Sequence, residues 1–514
     1  MSPKKERATH NTDEAHGPSP RHRPHTLKAA AVALAGLSAV FLFEMLDNSI
    51  LNVALPTIGR ELDASTTALQ WVTGAYAVVF GGLMLLFSAI ADQFGRRRVM
   101  LLGLTLLAVA SAATILVTTP EQLVAVRAVM GVAAAMTTPG SMALAFRLFD
   151  EESLRVRALT LISTVGLVGL AVGPTVGGFV LAFAPWQVLL LMNVPIAILA
   201  FIGIRMGVAE DLPEELHSDP LDVVGALFGT ATIVLALVAP TLFVEQSAGS
   251  WMPWASTAGA VAAAVLFVVR ARTATFPLLD LELVALPLVS SGLAYKAASG
   301  LAIAGLGYMV TLQLQFAWGW SPALASIGML PQVVVLLFSG RLVAPFLRRV
   351  GMNHAAWISA AAVVLGLAVF AGGSRFGYVW IALALVLVAV GMRIVGVVAG
   401  TNVMTGLPEN RTTIGAAMVD TSSQVATGIG IAVTGTILAA LFTGNISSTT
   451  WSADEAASFQ TGVTVAGFAI TAVAAALVLL GMIRARSDRG TAVEARVRHS
   501  LHRSRRPIEG SIEL

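Results

Sequence analysis

The sequence contains no cysteine in 514 residues, and only 12% of its side chains are charged. The lack of cysteine excludes disulfide bonds, thiolate catalysis and cysteine-ligated metal sites. A soluble globular chain carries about 25% charged residues, so a chain of this length with half that share could not cover a water-facing surface. The composition therefore excludes a soluble enzyme, and it also excludes the disordered and fibrous classes of protein.

Two further absences limit the chemistry of the chain. No glycine-rich loop carries the lysine and the serine or threonine that hold nucleotide phosphates, so we do not expect ATP to drive it. The eight histidines form no intramembrane relay, because all lie in tails or at loops, at positions 10, 16, 22, 25, 217, 354, 499 and 502. With no convergent nucleophile and base and no metal cluster, we expect no enzyme activity, no metal and no cofactor.

Long apolar runs are abundant instead, since 56% of the residues are hydrophobic and the mean hydropathy is +0.81. Most runs reach the ~20 residues that a helix needs to cross a bilayer. They predict an all-α polytopic membrane protein, because a helix satisfies its own backbone hydrogen bonds in lipid. The fourteen predicted transmembrane helices lie at residues 30–55, 69–90, 99–118, 122–146, 158–183, 187–208, 221–243, 252–270, 287–317, 323–346, 353–372, 377–403, 413–442 and 459–482.

The basic residues give these helices an orientation. If the N-terminus is cytoplasmic, the lysines and arginines outside the spans fall in the tails or inner loops, with Arg60 and Arg375 as the two exceptions. Because positive charge marks the cytoplasmic side, we expect both termini there. The first 27 residues have no apolar signal-peptide core and predict a disordered tail. The loop at 209–220 is acidic, unlike the other inner loops, and could be a hinge between two halves.

A charged motif follows the second span, where residues 92–98 read DQFGRRR. A weaker repeat lies after the tenth span, at residues 340–351. The pair resembles the loop signature of the major facilitator superfamily, in which an acid lies close to arginines between the second and third helices. The resemblance implies that four residues of this loop control conformation: Asp92, Gly95, Arg96 and Arg97.

The first and fifth spans resemble one subgroup of that superfamily. Residues 46–56 read LDNSILNVALP and are similar to the signature of the fourteen-span drug:proton antiporters. Residues 166–178 read GLVGLAVGPTVGG and resemble the antiporter motif of drug exporters. Glycines at these spacings allow close helix contact, and a proline removes a backbone donor. The resemblance assigns a conformational role to Gly169, Gly173, Pro174, Gly177 and Gly178.

The resemblance covers residues 30–482 and implies the major facilitator fold. In that fold two six-helix bundles enclose a site near the membrane midplane, which opens to each side of the membrane in turn. Two extra helices lie between the bundles in this subgroup. The implied domains are a tail at 1–27, an N-terminal six-helix bundle at 28–208, a linker with two extra helices at 209–286, a C-terminal six-helix bundle at 287–482 and a basic tail at 483–514.

Six ionisable residues lie well inside the predicted spans. A charge at a helix centre costs about 2.5–3.5 kcal/mol on insertion scales, and such a residue is by default a functional hypothesis. We assign proton coupling to the first three, which could share a layer of the N-terminal bundle: Glu44, Asp47 and Arg127. The other three could form a layer of the C-terminal bundle, and with one amide near an outer helix end they are the candidate substrate-binding residues: Lys296, Arg393, Asp420 and Gln313.

Structural alternatives stay open for these residues. Asp47 and Arg127 could form a purely structural pair. Lys296 and Arg393 could each extend the charged group to the membrane interface, or pair with Asp420 to hold the C-terminal bundle together. The polar run that begins at Asp420 could simply join helices. Gln313 lies near tryptophans that are common at membrane interfaces, which makes a substrate contact the weaker interpretation there.

The function predicted from these residues is export of small amphipathic compounds, such as an antibiotic or a related natural product, in exchange for protons. The two intramembrane cations predict an anionic or zwitterionic substrate. The expected partners are this substrate, protons and the lipid bilayer of the bacterial plasma membrane, with no nucleic acid, and the expected state is a monomer. The alternatives are an exporter of a metabolite or lipid-like compound on the same fold, and a membrane sensor or scaffold that transports nothing.

Overall fold

The computed structural model describes residues 26–149, 151–211, 222–246, 249–407, 412–442 and 451–504. This part of the chain is built from α-helices and contains no β-strand, so the all-α prediction is confirmed. The helices are α1 (Ala31–Glu61), α2 (Thr66–Phe94), α3 (Arg96–Ala113), α4 (Pro120–Arg147), α5 (Glu152–Val180), α6 (Gln187–Leu191), α7 (Asn193–Gly207), α8 (Val223–Gln246), α9 (Trp251–Thr273), α10 (Leu281–Ala285), α11 (Pro287–Leu312), α12 (Pro322–Gly328), α13 (Leu330–Phe338), α14 (Gly340–Val350), α15 (Met352–Gly373), α16 (Tyr378–Gly406), α17 (Thr412–Leu441) and α18 (Ala453–Ser504).

Thirteen helical segments of the described chain are long and apolar enough to cross a membrane. The predicted tenth span, at 323–346, is not one continuous helix, because it divides at Met329 and Ser339 into α12, α13 and α14. Pro322 and Pro331 stand in the first turns of α12 and α13, where a missing backbone donor is tolerated. Each proline therefore favours a new helix start, and the total of fourteen crossings stays a prediction.

The helices pack into two groups that meet along two seams. In the first group α1 packs against α5 and α7, and α4 packs against α2 and α3. In the second group α11 packs against α16, α17 and α18, and α15 packs against α16 and α18. One seam is formed by α2 and α17, and the other by α5 with α12 and α13. This arrangement leaves the space between the groups for a site.

The central helices α8 and α9 form a hairpin that attaches to the rest of the molecule mainly through α8. This helix contacts both α2 and α17 and so covers their seam. The hydroxyl of Thr230 donates to the carbonyl oxygen of Gly82 over 2.8 Å, and the amide of Gln70 donates to Thr241, both of which join α8 to α2. The predicted linker helices at 221–243 and 252–270 thus correspond to the α8–α9 hairpin, in which α8 covers the seam between α2 and α17.

The loops that join the long helices define two ends of the molecule. We call the end that carries the α2–α3 loop, with Arg96 and Arg97, the basic end. The other end, at which α1 ends and α2 begins, is called the opposite end.

Candidate functional site

A buried ion pair joins α1 to α4. The Nη1 atom of Arg127 lies 2.6 Å from Oδ2 of Asp47, and the two side chains are 2% and 0% exposed. The structure thus brings together the two residues that the sequence analysis placed in one layer. Breaking a buried pair by removing one partner is strongly destabilising, since it leaves an uncompensated charge. Each charge therefore holds the other in place.

Further polar groups complete the environment of this pair. The side-chain amide of Asn193 on α7 donates to Oδ1 of Asp47 over 3.0 Å. The Nε atom of Arg127 donates to the carbonyl oxygen of Val72 over 3.2 Å, and its guanidinium lies 4.4 Å from the ring centroid of Tyr76. Sequence reasoning missed the roles of Tyr76 and Val72. Asn193 was not among the predicted site residues, because its contact with α1 depends on how α7 packs.

Glu44 connects the two helix groups. It lies one turn from Asp47 on α1, is buried, and accepts a hydrogen bond of 3.0 Å from Nε2 of Gln424 on α17. Gln424 belongs to the polar run that begins at Asp420, for which association between helices was a predicted role. The structure therefore adds Gln424 as a direct partner of a predicted proton-coupling residue.

A central cavity of about 160 Å³ lies between the two groups. Asp47 and Arg127 line it from the first group, and Lys296 and Gln424 line it from the second. Among the residues that the structure describes, the ammonium of Lys296 has no ion-pair partner within 4 Å, so the predicted alternative of a Lys296–Asp420 bridge is not formed. The cavity thus combines a closed ion pair with an available cation.

A second, larger cavity of about 530 Å³ opens at the basic end and is called the vestibule here. It is lined from the first group by residues of α2, α4 and α5 and by Arg96 at the start of α3, and from the second group by residues of α16 and α17. Asp420 lines the vestibule rather than the central cavity, although it lies only one helical turn from Gln424. The predicted single layer of Lys296, Arg393 and Asp420 therefore has to be corrected.

Arg393 and Gln313 also lie elsewhere. The Nη2 atom of Arg393 lies beside Gly340, at the break between α13 and α14. The side chain of Arg393 is half-buried, and no described acid pairs with it. The amide of Gln313 donates to Oε1 of Gln460 on α18 over 3.0 Å, and Gln313 lines neither cavity. Its position near the end of α11 turns it towards α18, so the structure does not place it at a substrate site.

The charged loop motif forms a cluster within the first group. Asp92 and Arg96 form an ion pair of 2.6 Å, one turn apart. Arg97 binds Glu210 through Nη1 over 2.7 Å, and the backbone amide of Arg97 donates to Oδ2 of Asp211 over 3.0 Å. The hydrogen bond from Arg97 lowers the pKa of the Glu210 carboxyl below its usual range.

The same contacts revise the role predicted for the acidic loop. Asp211 also binds Arg147 at the end of α4 over 3.0 Å. Gly95 has φ +104°, a backbone conformation that glycine adopts readily and that the tight turn requires. Glycine also leaves room for Asp211, since a Cβ at this position would lie 3.0 Å from Oδ2 of Asp211. The first residues of the predicted hinge are thus bound to the first helix group, and residues 212–220 lie outside the described residues.

The glycine motif of α5 divides its contacts between two partners. Added Cβ atoms at Gly169 and Gly173 would collide with Leu42 and Ser49 of α1, and one at Gly177 would collide with Ile50. These glycines therefore permit close packing inside the first group. Gly178 instead faces α12, where a Cβ would approach the carbonyl oxygen of Pro322 to 2.5 Å and the hydroxyl of Ser326 to 2.6 Å. Pro174 lines the central cavity.

The two groups are in contact at the opposite end. Besides the Gly178 contact with α12, the amide of Gln315 donates to the carbonyl oxygen of Val53 over 2.9 Å. Gln70 of α2 donates to Thr436 of α17 over 3.3 Å. These contacts close the opposite end, whereas the vestibule separates the groups at the basic end. The two helix groups are therefore in contact at one end and separated by a cavity at the other.

The fold and the cavity between two helix groups define a membrane transporter rather than an enzyme. The sequence matches the model of the Major Facilitator Superfamily over residues 37–431, and the chain belongs to that family. The resemblance noted in its loop and helix motifs is thereby confirmed. Its family and its apolar helices make it a multi-pass protein of the bacterial plasma membrane.

Several relatives are similar in sequence to this chain over most of their own length. The cephamycin export protein CmcT of Amycolatopsis lactamdurans is 33% identical over 65% of this chain and 69% of its own. The multidrug efflux pump LfrA of Mycolicibacterium smegmatis is 27% identical over 81% of this chain and 82% of its own. A solved bacterial homologue of the human lysosomal transporter Spinster, described as inward-facing and unoccupied, has the same fold with a TM-score of 0.63, 15% identity and coverage of 90% and 98%.

Proposed function

We propose that this protein exports small amphipathic compounds of the antibiotic or natural-product class, in exchange for protons and by alternating access. The observation that carries the proposal is the placement of a buried ion pair, Asp47–Arg127, and an unbridged cation, Lys296, on facing walls of one cavity. The printed functions of the relatives, cephamycin export and multidrug efflux, support the same substrate range.

Glu44 is the proposed proton carrier. The amide of Gln424 can donate a hydrogen bond to a carboxylate and, after rotation, accept one from a carboxylic acid. The Glu44–Gln424 contact can therefore persist in both protonation states. Protonation of Asp47 would instead leave Arg127 as a buried, uncompensated charge, at a cost of several kcal/mol. In this proposal Asp47 and Arg127 position α1 against α4, and they respond to the charge of Glu44 one turn away.

Lys296 is the proposed site for an anionic group of the substrate. Its side chain lines the central cavity without an ion pair among the described residues, and an intramembrane charge is stabilised by a partner. A carboxylate on the substrate would supply that partner. The substrate would then be an anion or a zwitterion, and its negative group would lie next to α11.

The contacts between helix groups support an inward-open state. The positive-inside rule places the basic end in the cytoplasm, so the vestibule would receive substrate from the cytoplasm. Separation of the Gly178–Ser326 and Gln315–Val53 contacts would open the opposite end and release it outside. One chain supplies both walls of the cavity, and we propose that it works as a monomer.

Transport into everted membrane vesicles tests this function. Vesicles with an acidic lumen are expected to accumulate a zwitterionic cephamycin above the level of vesicles without a pH gradient, and a protonophore should abolish the difference. Vesicles from cells that carry the empty vector are the control. If no member of a panel of anionic, zwitterionic and cationic antibiotics moves in response to the gradient, the proposal is wrong.

A further inference from the structure

We propose that the vestibule is a second substrate-binding site, in series with the central cavity, that binds the ammonium group of an amphipathic zwitterionic compound. The inference rests on the proposed export function and specifies the substrate class of that pathway. Four observations support it: the separation of the two cavities, their sizes, the chemistry of the vestibule wall and the open face of α16.

A polar contact separates the two cavities. Gln424 lines the central cavity and hydrogen-bonds Glu44 across the molecule, whereas Asp420, one turn closer to the basic end, lines the vestibule. Among the described residues, none lines both cavities. A compound that arrives from the basic end therefore meets Asp420 before it can reach Lys296.

The vestibule is larger than the central cavity, as expected for the site that a whole substrate molecule enters first. Pockets that hold drug-sized ligands usually have volumes of about 300–1,000 Å³. The vestibule, at about 530 Å³, falls in this range. The central cavity, at about 160 Å³, is too small in this conformation. In the state seen here, the vestibule is the cavity that can hold a whole small molecule.

The wall of the vestibule suits an amphipathic cation. Its apolar part is supplied from both helix groups, by Met142, Phe146, Leu159, Met404 and Val419. Asp92 on its rim is paired with Arg96, so its charge is offset. The carboxylate of Asp420 has no ion pair within 4 Å and no hydrogen bond among the described residues, and Lys296 acts on it only from a greater distance. A carboxylate without a close partner is costly in a membrane. An ammonium group on a ligand would offset that cost.

The face of α16 that meets the vestibule is open. Gly400 lines the cavity, and Gly396 lies one turn deeper on the same helix. A Cβ added at either glycine would meet no atom within 4 Å. Because Gly400 lines the vestibule and is not required for helix contact, the space beside it is available to a ligand. Gly400 therefore sets the size of the compound that the vestibule admits, whereas Gly396 does not line the cavity.

The charge assignment is tested by fluorescence anisotropy of three dyes on one xanthene scaffold: a cationic rhodamine ethyl ester, its zwitterionic free acid, and anionic fluorescein. Asp420→Asn is expected to raise the Kd of the purified protein for the ester and the free acid by about tenfold, the equivalent of one lost charge-assisted hydrogen bond. The Kd for fluorescein should not change. Asp420→Glu should restore binding of the ester.

The size assignment is tested with Gly400→Leu, which fills the open face of α16. It is expected to raise the Kd for the rhodamine ester at least as much as Asp420→Asn. Val397→Leu adds a methylene at a surface-exposed position of the same helix and is the matched control. Unchanged affinity for the ester in both Asp420→Asn and Gly400→Leu would overturn the vestibule site. That result would not affect the proposed export function. The export function would instead be contradicted if the dyes bind with the expected Kd changes but the wild-type protein exports nothing.

Discussion

The two helix groups bury their charges in different ways. In the first group Asp47 and Arg127 neutralise each other, and Asn193 and the carbonyl oxygen of Val72 fill further hydrogen-bonding positions. In the second group Lys296, Arg393 and Asp420 have no ion-pair partner among the described residues. The charges of the first group are paired without a ligand, whereas those of the second group gain a close partner only when a ligand binds or the helices move.

This difference separates two tasks that one transporter has to perform. A closed ion pair fixes the positions of helices and changes only when a proton or a conformational change disturbs it. Open charges are available to a substrate, because no internal contact has to be broken first. The contact between Glu44 and Gln424 joins the two arrangements, and it is the natural place for a proton on one side to affect a substrate on the other.

The largest expected effect follows from breaking the closed pair. Arg127→Leu leaves Asp47 as a buried charge and is expected to lower the free energy of unfolding by about 3–5 kcal/mol. Lys296→Leu, the matched change in the second group, removes a charge that has no partner and should not destabilise the protein. Unfolding of both variants in detergent by denaturant titration measures the contrast.

The double variant Asp47→Leu with Arg127→Leu is the control for this experiment. Removal of both charges leaves no stranded group, so most of the lost stability should return. If Arg127→Leu is as stable as the wild type, or if Lys296→Leu is equally damaging, the two groups do not differ in the way described.

The second effect concerns coupling rather than stability. Glu44→Gln keeps a side chain that can hydrogen-bond Gln424 but cannot bind or release a proton. Export driven by a pH gradient is therefore expected to disappear, while dye binding and the unfolding midpoint stay close to those of the wild type. Uptake into everted vesicles, with and without the gradient, provides the measurement. Gradient-driven uptake that survives in Glu44→Gln would exclude this residue as the proton carrier.

The helical fold and its principal ion pair could be predicted from sequence because both depend on constraints that every membrane crossing shares. An apolar run of sufficient length must form a helix, and a charge inside such a run is conspicuous. Asp47 and Arg127 were found in this way. The partners Tyr76 and Gln424 were not, because aromatic and neutral polar residues are common in membrane helices and their pairing depends on how the helices pack.

The position of each charge around its helix could not be predicted either. Distances along the chain place Lys296 and Asp420 at similar depths, but the two side chains open into different cavities. Asp420 and Gln424 lie only one turn apart and still face separate spaces. Depth follows from counting residues, whereas the direction in which a side chain points depends on the tilt and rotation of the packed helices. Prolines in the tenth span were visible in the sequence, yet the breaks at Met329 and Ser339 were not predicted.

The smallest expected effect lies in the charged cluster at the basic end, where exposure differs between two neighbouring acids. The side chain of Glu210 is 74% exposed, and that of Asp211 is 7% exposed. Arg97 retains its hydrogen bond to the carbonyl oxygen of Arg205 when Glu210 is changed. Glu210→Gln is therefore expected to leave the unfolding midpoint unchanged, since exposed ion pairs contribute little. Asp211→Asn should lower it, because Asp211 joins the Arg97 backbone to Arg147.

The pH dependence of the exposed pair has a defined sign. Its hydrogen bond from Arg97 lowers the pKa of Glu210, so any stabilisation is present at neutral pH and is lost as the pH falls through the lowered pKa. Thermal unfolding of Glu210→Gln and Asp211→Asn at neutral pH and low salt compares the two acids. Equal losses in both variants would mean that the exposed acid fixes the loop as firmly as the buried one. A loss confined to Asp211→Asn would show that burial, rather than the number of charges, determines which contacts of this motif stabilise the first helix group.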